Sequence, residues 1–97
     1  MTKDQLATIK CEIRLNFHYV NYPENISAGL WRDGAGKIHF MDDMGLDHLK
    51  ASIRKVERDI ARLYRSDREQ EVIDALIPLA EQKLSELKDE FKLKANA

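Results

Sequence analysis

The sequence contains few of the residues that mark disulfide-rich, low-complexity or membrane proteins: among 97 residues there are one cysteine, two prolines and four glycines. A single cysteine, Cys11, excludes an intramolecular disulfide and fits a reducing compartment. No apolar run approaches the roughly 18 residues of a membrane span, and residues 1–10 lack the basic start and apolar stretch of a signal peptide. We therefore expect a cytoplasmic protein without a membrane anchor.

The sequence also has no large excess of charge of either sign. Sixteen lysines and arginines against 17 acidic residues leave a formal net charge of −1, which argues against a protein that coats duplex nucleic acid but leaves room for a local basic patch. Hydrophobic residues at 43% and charged residues at 34% are typical of a globular chain. The length predicts a single domain over residues 1–97, and because small domains bury a modest core, we expect a homo-oligomer.

Apolar and polar residues alternate near the N-terminus. The apolar positions of this alternation are Ile9, Cys11, Ile13, Leu15, Phe17 and Tyr19. A period of two is typical of a strand with one solvated face, so we predict a strand over residues 8–20. A helix stays open as the alternative, because several of these positions also fit helical spacing and Thr2 with Gln5 would form a capping box.

A hairpin is predicted next. Residues 29–33 and 37–41 read as strands on either side of a turn that contains Gly34 and Gly36, which adopt the backbone angles of tight turns at low cost. A four-residue loop would place Trp31 opposite Ile38 and Leu30 opposite His39. Together with residues 8–20 this gives a small antiparallel sheet of about three strands in a β-rich part, residues 1–45.

From Leu46 onward the apolar period is helical. The first seam consists of Leu46, Leu49, Ile53, Val56, Ile60 and Leu63, and the second of Ile73, Leu76, Ala80, Leu84, Leu87 and Phe91. These spacings predict helices over residues 46–64 and 67–92, the second starting from a capping box at residues 66–69 and kinked at Pro78. One long kinked helix is the alternative. We expect the tail after residue 92 to be frayed.

The charges of the two helical segments are opposite. Residues 50–68 carry seven basic and three acidic residues, a balance of +4, and residues 69–90 carry two basic and seven acidic residues, a balance of −5. This contrast favours antiparallel pairing within one chain or between two chains. The predicted fold class is therefore α+β, a small N-terminal antiparallel sheet followed by an antiparallel two-helix hairpin over residues 46–97.

No motif for catalysis, cofactor binding or metal binding stands out. The glycines lie in the predicted hairpin rather than ahead of a helix, where a phosphate-binding loop needs them. Two histidines and three aspartates fall within residues 39–48, but their spacing matches no metal-ligand signature. Cys11 is interpreted as a buried, inert thiol. We expect no enzymatic activity and no cofactor.

Two groups of residues are candidates for binding. The arginine stripe, on the face of the first helix away from its seam, consists of Arg54, Arg58, Arg62 and Arg65. Guanidinium groups suit bidentate contact with phosphate or carboxylate, so this stripe indicates an anionic ligand or an acidic partner, a solvated face being the alternative. Aromatic residues near Arg14 and Arg32 form the second group: His18, Tyr22 and Trp31, with Tyr19 beside them, could stack on a nucleobase or a peptide, or simply pack the core.

Residues 31–58 contain a hairpin that ends in the pair Asp43-Met44 and leads into a helix that opens with His48-Leu49. This pattern resembles small bacteriophage and prophage accessory proteins, which are mostly uncharacterised. The predicted layout is also similar to that of the phage anti-Thoeris sponge proteins, which oligomerise and sequester cyclic nucleotide signals made by host immune enzymes.

The resemblance implies a non-enzymatic accessory protein in the host cytoplasm that acts by binding, as counter-defence, either sequestering a nucleotide signal or blocking a host defence protein. A structural self-assembly module is the alternative from a different class, and a nucleic-acid-binding regulator is a further one. The latter would be recognised by binding that weakens steeply with salt.

Overall fold

The structure, a computed structural model, describes residues 1–20 and 28–97. In chain order its elements are helix α1 (Lys3–Leu15), strands β1 (Leu30–Arg32) and β2 (Ile38–Phe40), a 3₁₀ turn (Met41–Asp43), and helices α2 (Leu46–Tyr64) and α3 (Gln70–Ala95). The strands pair antiparallel. The fold is α+β as predicted, but the sheet of the described residues has two strands rather than about three.

The N-terminal segment is a helix, so the strand predicted over residues 8–20 is wrong. α1 begins with the capping box that the alternative interpretation required. The Thr2 hydroxyl accepts a hydrogen bond from the Gln5 backbone N–H at 3.1 Å, and the Gln5 side chain accepts one from the Thr2 backbone N–H at 2.8 Å. Two of the unpaired donors at the helix start are thereby satisfied. The described part of residues 1–45 is thus a helix, a hairpin and a 3₁₀ turn rather than a β-rich part.

The apolar alternation misled because residues four apart satisfy both periods. Ile9, Ile13 and Phe17 lie on one side of a strand and equally on one face of a helix. Leu15 distinguishes the two, since a strand would bury it and it is 64% exposed. Tyr19 fits the alternation for another reason: it lies in the turn after α1 ends, where it and Phe17 are fully buried.

A buried carboxylate ties α1 to the connection between α2 and α3. Glu12 is 7% exposed, and its Oε1 accepts from Arg68 Nε at 3.1 Å and Nη2 at 2.8 Å. Its Oε2 accepts from the Asn16 side chain at 3.0 Å. Because a buried charge needs such partners, these bonds fix how α1 lies against the helical hairpin.

The β-hairpin forms, but in a register one residue away from the predicted one. The observed pairs are Leu30 with Phe40, Trp31 with His39 and Arg32 with Ile38. The predicted pairing of Trp31 with Ile38 is wrong because the connection has five residues, 33–37. It is closed by the Asp33 N–H, which donates to the Lys37 carbonyl at 2.9 Å, and by the Gly36 N–H, which donates to the Asp33 carbonyl at 3.0 Å.

The C-terminal part is a pair of helices that form a hairpin, as predicted, rather than one long helix. α2 has the predicted bounds. The apolar residues that the two helices bury are Leu49, Val56, Leu63, Val72, Ile73, Leu76, Ile77, Ala80 and Leu87. Lys88 and Glu57, 3.6 Å apart, make the one ion pair between α2 and α3 among the described residues. Most of the charge contrast between the helices therefore stays on the surface.

The helix connection differs from the capping box predicted at residues 66–69. The Ser66 hydroxyl donates to the Leu63 carbonyl at 2.6 Å and accepts from the Arg68 N–H at 3.3 Å, so it stabilises the end of α2 rather than the start of α3. Glu69 is the N-cap of α3 without a side-chain cap, and its carboxylate accepts from the Gln5 side chain at 2.5 Å instead.

α3 extends further toward the C-terminus than the sequence predicts. The helix continues through Pro78 and ends at Ala95 instead of residue 92. The ammonium group of Lys94 donates to the backbone carbonyls of Met41 and Met44 and so holds the last turn against the 3₁₀ turn. Within residues 1–20 and 28–97, no helix is both long and apolar enough to cross a membrane.

Candidate functional site

The four arginines of the predicted stripe all lie exposed on or just after α2. Arg62 is engaged locally, with Nη2 at 3.4 Å from Asp59 Oδ1 and Nη1 donating to the Asn16 side chain at 3.3 Å. Arg54 and Arg58 border a surface depression of about 560 Å³. With Arg65, they make no ion pair among the described residues.

Trp31 lies in the core, so it is removed from the candidate ligand contacts. It is 3% exposed and stacks on Tyr19, with ring centroids 4.8 Å apart and planes 10° from parallel. The Tyr19 hydroxyl donates to the buried Asp59 carboxylate at 2.8 Å. Burial and that hydrogen bond raise the pKa of Tyr19. Tyr22, a further candidate, lies outside the described residues.

His18 borders a groove between α1 and the turn of the β-hairpin. We call this the basic groove; it has a volume of about 530 Å³ and is lined by Lys10, Ile13, Arg14, His18, Arg32, Asp33 and residues 34–36. Lys10, Ile13 and Arg14 share one face of α1 because residues three and four apart are neighbours on a helix. The structure therefore brings His18 together with two arginines that the sequence singled out, and with none of the arginine stripe.

The basic groove has an excess of unpaired positive charge. Lys10, Arg14 and Arg32 make no ion pair with another residue in the described ranges. Asp33 is the one carboxylate that the described residues contribute to the groove, and it is engaged by its own hairpin. Its Oδ1 accepts from the N–H groups of residues 35 and 37 at 2.9 Å, and its Oδ2 lies 2.8 Å from His39 Nε2. The bond to His39 is the main reason that the pKa of Asp33 is lowered. Three cations therefore face one carboxylate that is already hydrogen-bonded.

His18 is a half-buried lining residue of the basic groove. Its ring lies edge-on to Tyr19, with centroids 5.4 Å apart, and its Cε1 is 4.0 Å from where a side chain on Gly34 would begin. Burial lowers the pKa of His18, and the nearby ammonium of Lys55 lowers it further. The neutral imidazole is thereby favoured, and it can both donate and accept a hydrogen bond.

A lysine of the groove was not singled out from the sequence. In the predicted strand Lys10 would be a polar position about 13 Å from Arg14 on the same face, and only a helix brings the two side chains together. The signal that would have found it is the helical spacing of Lys10, Ile13 and Arg14. The capping box at Thr2 supports that spacing because it marks the start of a helix.

The histidines of residues 39–48 lie near the hairpin and the start of α2. The rings of His39 and His48 meet edge to face at a centroid distance of 5.3 Å. Among residues 1–20 and 28–97, no three histidine, cysteine, aspartate or glutamate side chains are placed to hold a metal ion. His39 acts on the hairpin turn through Asp33 instead.

Comparison with known proteins gives no relative: no family model, no curated protein and no solved structure matches the chain.

Proposed function

We propose that the protein binds a small anionic ligand, a phosphate-bearing molecule of the nucleotide class, in the basic groove. The observation that supports this is the convergence of Lys10, Arg14 and Arg32 on one groove without ion-pair partners among the described residues. Guanidinium groups donate two hydrogen bonds to a phosphate, and an ammonium group adds a point charge. The half-buried Ile13 offers an apolar surface of the kind that ligand pockets use for the uncharged part of a ligand.

The composition of the groove supports binding rather than catalysis. Its lining contains no hydroxyl or thiol side chain that could act as a nucleophile, within the described part of the chain. Of the described lining residues, His18 alone carries an imidazole, and Asp33 is engaged by its own turn and by His39. We therefore propose a non-enzymatic role.

The resemblance to phage accessory proteins suggests where such binding would act. Under this proposal the ligand is a nucleotide signal made by a host defence enzyme, and the protein, as a homo-oligomer, lowers the free concentration of the signal by sequestering it. Blocking a host defence protein directly is the other form of counter-defence that the resemblance implies.

The experiment is a titration of the protein with ATP, 3′,5′-cyclic AMP and inorganic pyrophosphate, followed by calorimetry and native mass spectrometry. We expect that Arg14→Gln and Arg32→Gln each weaken binding about tenfold or more, because a hydrogen bond to a charged group contributes about 1.5–3 kcal/mol. The matched control is Arg58→Gln with Arg65→Gln, which removes the same charge as both groove substitutions but lies outside the basic groove. It should change affinity less than about threefold, through long-range charge alone.

Two results would contradict the proposal. If the Arg58 and Arg65 substitutions abolish binding and the groove variants do not, the ligand binds the arginine stripe. If none of the three probes binds at millimolar concentration, the anionic-ligand proposal fails.

A self-assembly module is the second candidate, favoured by large apolar side chains on the surface. Leu15 is 64% exposed and Tyr64 is 58% exposed. Exposed apolar side chains that lie together commonly form subunit interfaces. Sedimentation velocity over a range of concentrations tests it: a defined oligomer that dissociates on Tyr64→Ser or Leu15→Ser would support assembly, and a monomer at all concentrations would refute it.

A further inference from the structure

A second groove lies at the open end of the β-hairpin, opposite the turn that borders the basic groove. We call it the acidic groove; it has a volume of about 540 Å³ and lies between the hairpin and α3. Its apolar wall includes Leu30, Phe40 and Leu93, of which Phe40 is 63% and Leu93 68% exposed. Ile38, 48% exposed, extends the apolar surface along β2 because residues two apart point to the same face of a strand.

Three carboxylates border this apolar wall. Asp42 follows β2, and Asp89 and Glu90 lie on α3 one turn before Leu93. None of the three makes an ion pair with another described residue. Lys83 is buried against the fourth carboxylate of the groove, that of Glu86, and Lys94 donates to the backbone carbonyls of Met41 and Met44. Because those carbonyls are neutral, the Lys94 ammonium keeps its positive charge beside the groove. The three rim carboxylates outnumber it, so the described part of the rim is negative on balance.

We infer that the acidic groove binds a basic, amphipathic segment of a partner protein. An apolar side chain of the segment would pack between Phe40 and Leu93, and lysines or arginines beside it would face Asp42, Asp89 and Glu90. A helix presents such a pattern naturally, because cations three or four residues from an apolar anchor lie on the same side. This surface is separate from the basic groove, and the inference does not rest on the proposed function.

Charge selects this occupant over a second copy of the chain. A symmetric dimer through Phe40 and Leu93 would bring the acidic rim of one copy against the same rim of the other, and like charges at an interface oppose association. An anionic membrane surface would be repelled for the same reason. A basic segment is the partner that covers the apolar wall and also neutralises the rim.

The test uses a fluorescently labelled peptide of leucine and lysine, about 14 residues or four helical turns long, with leucine along one face. Binding is measured by fluorescence anisotropy and located by chemical-shift changes in ¹⁵N-labelled protein. We expect shifts at Phe40, Leu93 and their neighbours. Asp89→Lys with Glu90→Lys, and separately Phe40→Ser, should each weaken binding about tenfold, since each removes one half of the complementarity.

The matched control is Asp74→Lys with Glu81→Lys, which changes the charge of α3 by the same amount at exposed positions that do not line the groove. It should weaken binding less than about threefold. A loss equal to that of the groove variant would overturn the inference by showing attraction to overall charge alone. Shifts located elsewhere would also overturn it, as would concentration-dependent shifts of Phe40 and Leu93 without peptide, which would identify a second copy as the occupant.

Discussion

The two ends of one short hairpin carry opposite charge. At the turn end, Arg32 joins two cations of α1 around the basic groove, whereas at the open end Phe40 borders the acidic groove with two carboxylates of α3. The strands themselves are three residues long and contribute little charge. Most of the charge at each end therefore comes from the helix that borders the groove there, and the hairpin separates the two charged surfaces.

The two ends are also anchored by different forces. The middle of the hairpin, and through it the turn end, is held by the stacked rings of Trp31 and Tyr19, an apolar contact. The open end is held by a buried ion pair: Lys83, 1% exposed, donates to Glu86 at 3.0 Å and to the Leu30 carbonyl at 2.8 Å, while Glu86 also accepts from the Gly29 N–H at 2.9 Å. These donors outweigh the effect of burial and lower the pKa of Glu86.

The largest expected effect comes from removing one partner of the ion pair at the open end of the hairpin. Glu86→Ala leaves the Lys83 ammonium buried without its carboxylate, and we expect a loss of about 3–5 kcal/mol in the free energy of unfolding, as is usual when one partner of a buried pair is removed. Urea denaturation at neutral pH measures it. Shifts in the NMR spectrum should concentrate at Gly29 and Leu30 rather than at the hairpin turn.

Lys83→Met is the control for that substitution. It removes the buried charge and keeps a long apolar side chain, and the half-buried Glu86 keeps its bond to Gly29. We therefore expect it to cost clearly less than Glu86→Ala. Equal losses for the two variants would contradict the view that an uncompensated charge, rather than lost packing, is what destabilises the open end.

A smaller effect on stability is expected from alanine substitutions at two glycines of the hairpin turn. Gly36 has φ of +88°, so Gly36→Ala should cost about 1 kcal/mol because side chains disfavour the left-handed region. Gly34 has no positive φ, and a Cβ there would lie 4.0 Å from His18, an ordinary contact. Gly34→Ala should therefore change the unfolding free energy by less than about 0.5 kcal/mol. Thermal denaturation of both variants checks this order, and a reversed order would refute it.

The sequence predicted the helical hairpin well because its two seams are long and have a single period. Leu49, Val56 and Leu63 repeat at helical spacing and are all buried. The first segment was different, since Ile9 and Ile13 satisfy two periods and the choice depended on Leu15. In a strand, Lys10 and Arg14 would share a face but lie about 13 Å apart, with Ile13 on the opposite face. The basic groove, which needs all three close together, could therefore not be assembled from the strand prediction.

The hairpin register shows a limit of another kind. Glycine positions predict that a turn exists but do not fix its length, which depends here on Asp33 accepting hydrogen bonds from residues 35 and 37 and contacting His39. The acidic groove was missed for a related reason. Asp42 and Asp89 are distant in sequence, and only the packing of α3 against the hairpin brings them to one surface.

The smallest expected effect concerns His18 and separates folding from binding at the turn end. Burial lowers the pKa of His18 in the folded protein, so the unfolded chain binds the extra proton more readily. The contribution of His18 to stability is therefore complete above about pH 6.5 and is lost as the pH falls through the folded pKa. An anion in the basic groove would favour the protonated ring. Stability should thus fall, and affinity for sulfate should rise, over the same acidic range.

Urea denaturation and calorimetric titration with sulfate, which stays a dianion across that range, measure the two trends between neutral pH and pH 5. In His18→Gln both trends should be weaker than in the wild-type protein. The loss of stability that comes from Asp33, whose pKa is lowered, occurs at more acidic pH and so does not enter the comparison. If sulfate affinity in the wild-type protein does not change with pH, or changes equally in His18→Gln, then His18 does not contact the anion. The cations of α1 and β1 would then act without it.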